Sequence, residues 1–211
     1  LLHLSDGRIL AQIDGLLRFD GQRIMIDPVL DLQGGVDFST GNIDFDGDVI
    51  IHRDIRDRFR VKATGDVTVE GLIDASHIDC GGELHARRGV AGRGEGTLDV
   101  DGDAHIGYLD QVKGHVGGDL HLTREMMHCT LSIGGDLISD FGAIIGGCAS
   151  SVGNARVADL GSASETPTEV RLGAAATADR DAAGPFAPPS PQAAPTRTHR
   201  ATPHAAAGTT P

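Results

Sequence analysis

The sequence predicts an all-β fold: a right-handed parallel β-helix, or solenoid, preceded by a short antiparallel β meander and followed by a disordered C-terminal tail. Three observations carry this expectation. A glycine followed by an acidic residue and an alternating apolar pair recurs at Gly47, Gly65, Gly82, Gly102, Gly118 and Gly135, at intervals of 18, 17, 20, 16 and 17 residues. A repeat of that length built from strands is one coil of a stack, which buries its apolar edge only against the neighbouring coils. The 211 residues include 30 glycines, about twice the usual share of roughly 7%, and show no Gly-X-Y period, so the backbone turns often. No ten-residue window repeats apolar residues at helical spacing.

Residues 1–35 read as the meander. Asp6-Gly7, Asp14-Gly15 and Asp20-Gly21 separate short apolar runs, and both residues of an Asp-Gly pair tolerate the positive φ of a tight hairpin turn. Residues 36–173 read as the solenoid. Side chains alternate faces along a strand, so the second and fourth positions after each glycine point inward. These are Val49/Ile51, Val67/Val69, Leu84/Ala86, Ala104/Ile106, Leu120/Leu122 and Leu137/Ser139. About seven coils at roughly 4.8 Å each predict a rod of order 35 Å. Drifting coil lengths favour an irregular right-handed helix over a strict left-handed hexapeptide helix. Residues 174–211 are Ala, Pro or Thr at 26 of 38 positions, too little apolar surface to offset the entropy of ordering.

Aromatics are only 3% of the chain, so Val, Ile, Leu and Ala must fill a narrow interior. A net charge of −12 disfavours nucleic acid and anionic lipid as partners. Cys80, Cys129 and Cys148 form no CxxC pair and read as small buried hydrophobes, with no disulfide framework or thiolate zinc site. No apolar run approaches the ~20 residues that span a bilayer, so no membrane insertion is expected.

Aligning the coils places Asp48, Asp66, Glu83, Asp103, Asp119 and Asp136 in one acidic column directly after the repeat glycines. Turn chemistry explains Asp there, because its side chain bonds nearby backbone; a divalent cation relieving like-charge repulsion is the alternative. Asp99, Asp101 and Asp103 do not make a calcium loop, since Ala104 stands where its glycine is required. Two residues after each acidic position, His85, His105 and His121 predict an outward histidine ladder on three consecutive coils. Such a ladder is a candidate zinc or nickel site, or a pH-sensitive surface, against the plain alternative of a solvated polar column. Arg53, Arg56, Arg58, Arg60 and Lys62 form a basic cluster expected at one bend between coils, interleaved by Asp54 and Asp57. No nucleophile elbow or Walker loop is present, and Gly92-Arg93-Gly94-Glu95-Gly96 precedes no helix that would hold phosphate. The chain is expected not to be an enzyme and to carry no cofactor.

The stretch Val36-Asp37-Phe38-Ser39-Thr40-Gly41-Asn42-Ile43-Asp44-Phe45-Asp46-Gly47-Asp48-Val49 resembles the opening of the β-helical domain of the flagellar assembly protein A family. Further blocks agree in order: residues 61–67, Gly81-Gly82-Glu83-Leu84, Gly89-Val90-Ala91-Gly92, Met127-His128, Ile144-Ile145-Gly146-Gly147 and Leu160-Gly161-Ser162. Gly41, Asn42, Gly65, Gly82, Gly146, Gly147, Gly161 and Ser162 are the structural positions of that pattern. Arg58 stands where the family tends to have Gly before Phe59, and Cys129 where Ser follows His128. The resemblance implies a right-handed β-helix in a bacterial cytoplasmic protein, with residues 1–35 the end of a truncated family N-terminal domain. It also implies a scaffold or adaptor acting through protein partners in flagellar assembly or placement. Two alternatives stay open: a self-associating, cytoskeleton-like β-helix polymer, with a homo-oligomer as its small form, and a carbohydrate-active β-helix enzyme.

Overall fold

The computed structural model describes residues 15–19, 21, 22, 24–163 and 166–173, plus the backbone pairs at 2–3, 9–10 and 199–200. Every regular element in it is a strand. Nineteen strands join one sheet, eighteen of them, from Val29–Leu32 to Thr168–Leu172, wound into a three-faced parallel solenoid.

The first face stacks Leu30, Val49, Val67, Leu84, Ala104, Leu120, Leu137 and Ala155 in direct register, with steps of 19, 18, 17, 20, 16, 17 and 18 residues. The second face stacks Val36, Ile55, Ile73, Val90, Leu109, Met126, Ile144 and Leu160. The third stacks Ile43, Val61, Ile78, Leu98, Gly114, Leu131, Ala149 and Val170. Each face therefore has eight rungs, one more than the repeat glycines predicted. At ~4.8 Å per rung the stack is roughly 34 Å long.

Alternation inside a strand produces the core directly. The burial patterns of Val67–Val69, Leu84–Ala86, Ala104–Ile106 and Leu120–Leu122 all run in, out, in. All six predicted pairs of inward residues are buried, Ser139 included. Ser151, also buried, donates its hydroxyl to Gly135 O at 2.6 Å, so the polar group is satisfied where the stack lacks an apolar one. Burial of 32 side chains in one continuous cluster is the main stabilising term, and aliphatic residues fill it without Trp or Tyr.

The parallel stack starts at Val29, inside the stretch assigned to the meander, because Val29–Leu32 pairs with Asp48–Ile51. Ahead of it, Leu2–His3 with Ile9–Leu10 and Leu16–Phe19 with Ile24–Asp27 form two antiparallel pairs, each a sheet of its own and not one continuous meander. The tail expected over 174–211 lies outside the described residues, apart from the backbone of His199–Arg200, which pairs antiparallel with Thr168–Leu172.

The basic cluster does not sit at one bend. Arg53 is at the corner between the first and second faces, Arg56 and Arg58 are at the next corner, and Arg60 and Lys62 are on the third face. Arg60 and Lys62 share Asp79 of the following coil at 3.0 and 3.6 Å, so the stronger pairing is between coils and not with the interleaved acids.

Candidate functional site

The outer surface of the first face carries the acidic and histidine columns. At the corner where each coil enters this face, the repeat glycines donate to one another down the axis: Gly65 N to Gly47 O, Gly82 N to Gly65 O, and on to Gly153 N and Gly135 O, at 2.9 to 3.0 Å. Beside them, Asp48 Oδ1 accepts from Asp66 N at 2.9 Å and Asp66 Oδ1 from Glu83 N at 2.8 Å. Asp103, Asp119 and Asp136 accept in the same way from Asp119 N, Asp136 N and Asn154 N, each at 2.7 Å.

The acids were expected to bond their own turn; they bond the next coil. A carboxylate next to a stacked amide satisfies a group that the turn leaves without a ladder partner. The same geometry explains the glycines, since a Cβ at Gly65, Gly82, Gly118, Gly135 or Gly153 would run into the carboxylate of Asp48, Asp66, Asp103, Asp119 or Asp136. Glu83 breaks the ladder. One methylene longer, it turns to His85 Nε2 at 3.4 Å.

The predicted histidine ladder is formed. His85, His105 and His121 are in direct register. Their rings stack with centroids 4.8 and 4.5 Å apart and planes within 3° and 11° of parallel. Ring nitrogen lone pairs lie in the ring plane, so stacked rings point them side by side and not toward one ion. Among the described residues no group of three or more His, Cys, Asp or Glu is placed to hold a metal ion. Partial burial, then the neighbouring His121 and His85, depress the His105 pKa, with Glu83 and Asp103 opposing.

Alongside runs a third column, which sequence reading missed because its residues share no type. By register it runs Gln33, His52, Glu70, Arg87: His52 Nδ1 meets Glu70 at 3.5 Å and Arg87 meets Glu70 at 3.8 Å, while His52 Nε2 reaches sideways to Asp31 of the histidine column at 3.0 Å. The next position is Gly107, and the coil after it offers Thr123. A dent of about 300 Å³ opens there, lined by Thr68, His85, Arg87, His105, Gly107 and Thr123 among others.

The remaining pattern residues hold corners. Gly41, Gly146, Gly147 and Gly161 all have positive φ. Asn42 Oδ1 accepts from Arg60 N at 3.0 Å, and Ser162 bonds Thr166 at 3.3 Å. Cys80 and Cys129 are buried, and burial pushes their thiols up to about 11 and about 12; burial also raises Cys148.

Three parallel faces, glycine corners and a carboxylate-to-amide seam define the class: an all-β parallel solenoid with its polar chemistry on the outside. The Flagellar Assembly Protein A beta solenoid domain matches residues 28–182, beginning one residue before the first rung, and the chain belongs to that family. No curated protein and no solved structure matches it. The family is not a known family of enzymes. Among the described residues no helix is long and apolar enough to cross a membrane.

Proposed function

We propose that this protein is a non-catalytic scaffold in flagellar assembly or placement, acting in the cytoplasm by holding protein partners along the side of its solenoid. The observation that carries the reading is family membership over residues 28–182. The architecture suits it: backbone ladders run the whole axis, so side chains on successive coils keep fixed spacing. The division into an N-terminal β segment, a solenoid and an Ala/Pro/Thr-rich tail belongs to the same proposal. Affinity purification of the intact protein from its own cell, read by mass spectrometry, tests it. Recovery of flagellar or polar components is expected; their absence sinks the reading.

End-to-end polymerisation is a second reading, favoured by one observation. The inward residues of the outermost coils, Leu30, Leu32, Ala155, Val157, Leu160 and Leu172, are only partly buried. A second copy stacked on an end would cover them and pair the strand edges left open there, the edge of Thr168–Leu172 being already paired with His199–Arg200. Light scattering that stays at monomer or dimer mass across a concentration series ends this reading.

The acidic column serves the seam described above. For His85, His105 and His121, metal binding requires rings to leave the stack so that two nitrogens converge. Calorimetric zinc titration of the full chain decides it: heat that His105→Ala abolishes supports a site, and heat unchanged by the substitution leaves the ladder an ordinary surface.

A further inference from the structure

The last coil is closed on one face by a strand that does not belong to the winding. Pairing between successive coils is parallel throughout. On its inner side the last third-face strand, Thr168–Leu172, keeps that rule and pairs with residues 147–151. On its outer side it pairs antiparallel with His199–Arg200, with His199 opposite Val170 and Arg200 opposite Glu169. The matched family residues end at 182, so this outer strand comes from the tail and not from the solenoid domain.

An antiparallel strand ends a parallel winding. Its hydrogen bonds come in alternating close and wide pairs, whereas a parallel ladder is evenly spaced and slanted, so the edge it offers outward does not match another coil. It also stands where stacking would have to occur. A second copy added to this end in the same sense would set Leu30 over Ala155, Val36 over Leu160 and Ile43 over Val170, continuing the three inward stacks. The third of these contacts needs the edge that His199–Arg200 holds.

The rest of that end is open. Ala155–Leu160 pairs with Leu137–Ser151 on its inner side, and among the described residues no strand pairs with its outer side. Burial follows the same division. Ala155, Val157, Leu160 and Leu172 are only partly buried, whereas Val170, opposite His199, is 6% exposed. The first coil is open in the same way, with Leu30 and Leu32 partly buried. Two apolar ends that continue each other's stacks invite self-association, a hazard that sheets meet by covering an edge. The cover on this edge is two residues of the tail.

We propose that the C-terminal tail is an end cap: the strand at His199–Arg200 occupies the outer edge of Thr168–Leu172 and keeps the first coil of a second copy from stacking there. Because the strand is part of the same chain, it competes at an effective concentration that separate copies at micromolar concentration do not reach. Two paired residues make few hydrogen bonds, so breaking the strand releases the edge. The freed end is then a binding surface whose fitting partner is the first coil of another copy. The inference goes beyond the scaffold reading, which uses the sides of the solenoid and not its ends.

The test compares the full chain with a double variant, His199→Pro with Arg200→Pro. Proline has no backbone N–H, and with both residues changed the pair loses its tail donor whichever N–H faces the edge. Hydrogen exchange read by mass spectrometry is expected to be faster across residues 168–172 in the variant. Sedimentation velocity over a micromolar concentration series is expected to give a constant mass for wild type and a mass that climbs with concentration for the variant. Thr177→Pro, in the tail but away from His199, is expected to behave as wild type, with circular dichroism confirming the fold of both. Unchanged exchange, a variant of constant mass, or association in Thr177→Pro overturns the cap. A wild type that elongates as the variant does overturns it too, while end-to-end stacking stands. The affinity purification of flagellar components decides the scaffold reading separately, whichever way the cap test falls.

Discussion

Arg58 holds φ at 67°, in the left-handed region that costs an ordinary residue roughly 1–2 kcal/mol. Nothing in its side chain compensates, since it is 93% exposed and only 4.0 Å from Asp57. Arg58→Gly is expected to stabilise the protein by roughly 0.5–1 kcal/mol after glycine's larger unfolded-state entropy is counted, visible as a higher thermal midpoint. A lower midpoint would mean that Arg58 makes a contact in solution that outweighs the strain. His105 sets a pH dependence. Its folded pKa is depressed below the ordinary 6.5, by burial first and then by His121 and His85, with Glu83 and Asp103 opposing. The unfolded chain then binds more protons, so stability is complete above pH 6.5 and declines as pH falls below it. Melting curves between pH 7.5 and 5 are expected to show this decline, and His105→Gln to flatten it; an identical slope in the variant refutes the assignment.

At the scale of the strand, the outcome of a substitution depends on the parity of its position. Leu98 in Thr97–Val100 is fully buried, whereas His121 in Leu120–Leu122 points outward. Leu98→Ala is expected to cost about 2–5 kcal/mol in urea unfolding, because a stacked core cannot collapse around the hole. His121→Ala should stay within about 0.5 kcal/mol. Comparable losses at both sites would break the alternation rule. That rule is why so much was legible beforehand: with glycine marking each corner, parity alone identified Val67, Leu84, Ile106 and Leu120 as core and His85, His105 and His121 as one outward line. The first and last rungs escaped because their markers differ. Pro28 occupies the slot that Gly47 fills one coil later, and Asn154 follows Gly153 where acids follow the other glycines. The dent at Gly107 was hidden for another reason. It depends on which residues of different types come into line across coils of 16 to 20 residues, which no local pattern encodes.

Over the whole molecule, each coil's backbone ladder joins only the coils next to it, with a few long side chains such as Arg124 to Arg88 O reaching one coil further, so opening is cheapest at the ends and dearest in the middle. The cysteines report on this. Cys80 and Cys129 lie buried in inner coils with their thiols raised to about 11 and about 12, whereas Cys148 is only half-buried on a later coil. At pH 8 a thiol reagent is expected to modify Cys148 slowly in the native protein and to reach Cys80 and Cys129 only as denaturant unfolds it. Equal rates at all three would show a molecule that opens as one unit.

The carboxylate seam also has a direction. Every aspartate in it waits for an amide from the coil that comes later in the chain, never from the one before. After each of these aspartate turns, though not after Glu83, a chain emerging from the ribosome would carry an unanswered acceptor at its growing end, a template that accepts the next turn and is satisfied by it. Asn154 ends the series: its amide N–H and its side-chain nitrogen both donate to Asp136, at 2.7 and 3.4 Å, and it brings no new carboxylate. A neutral residue at that place lets the winding stop without leaving a charge in want of a partner.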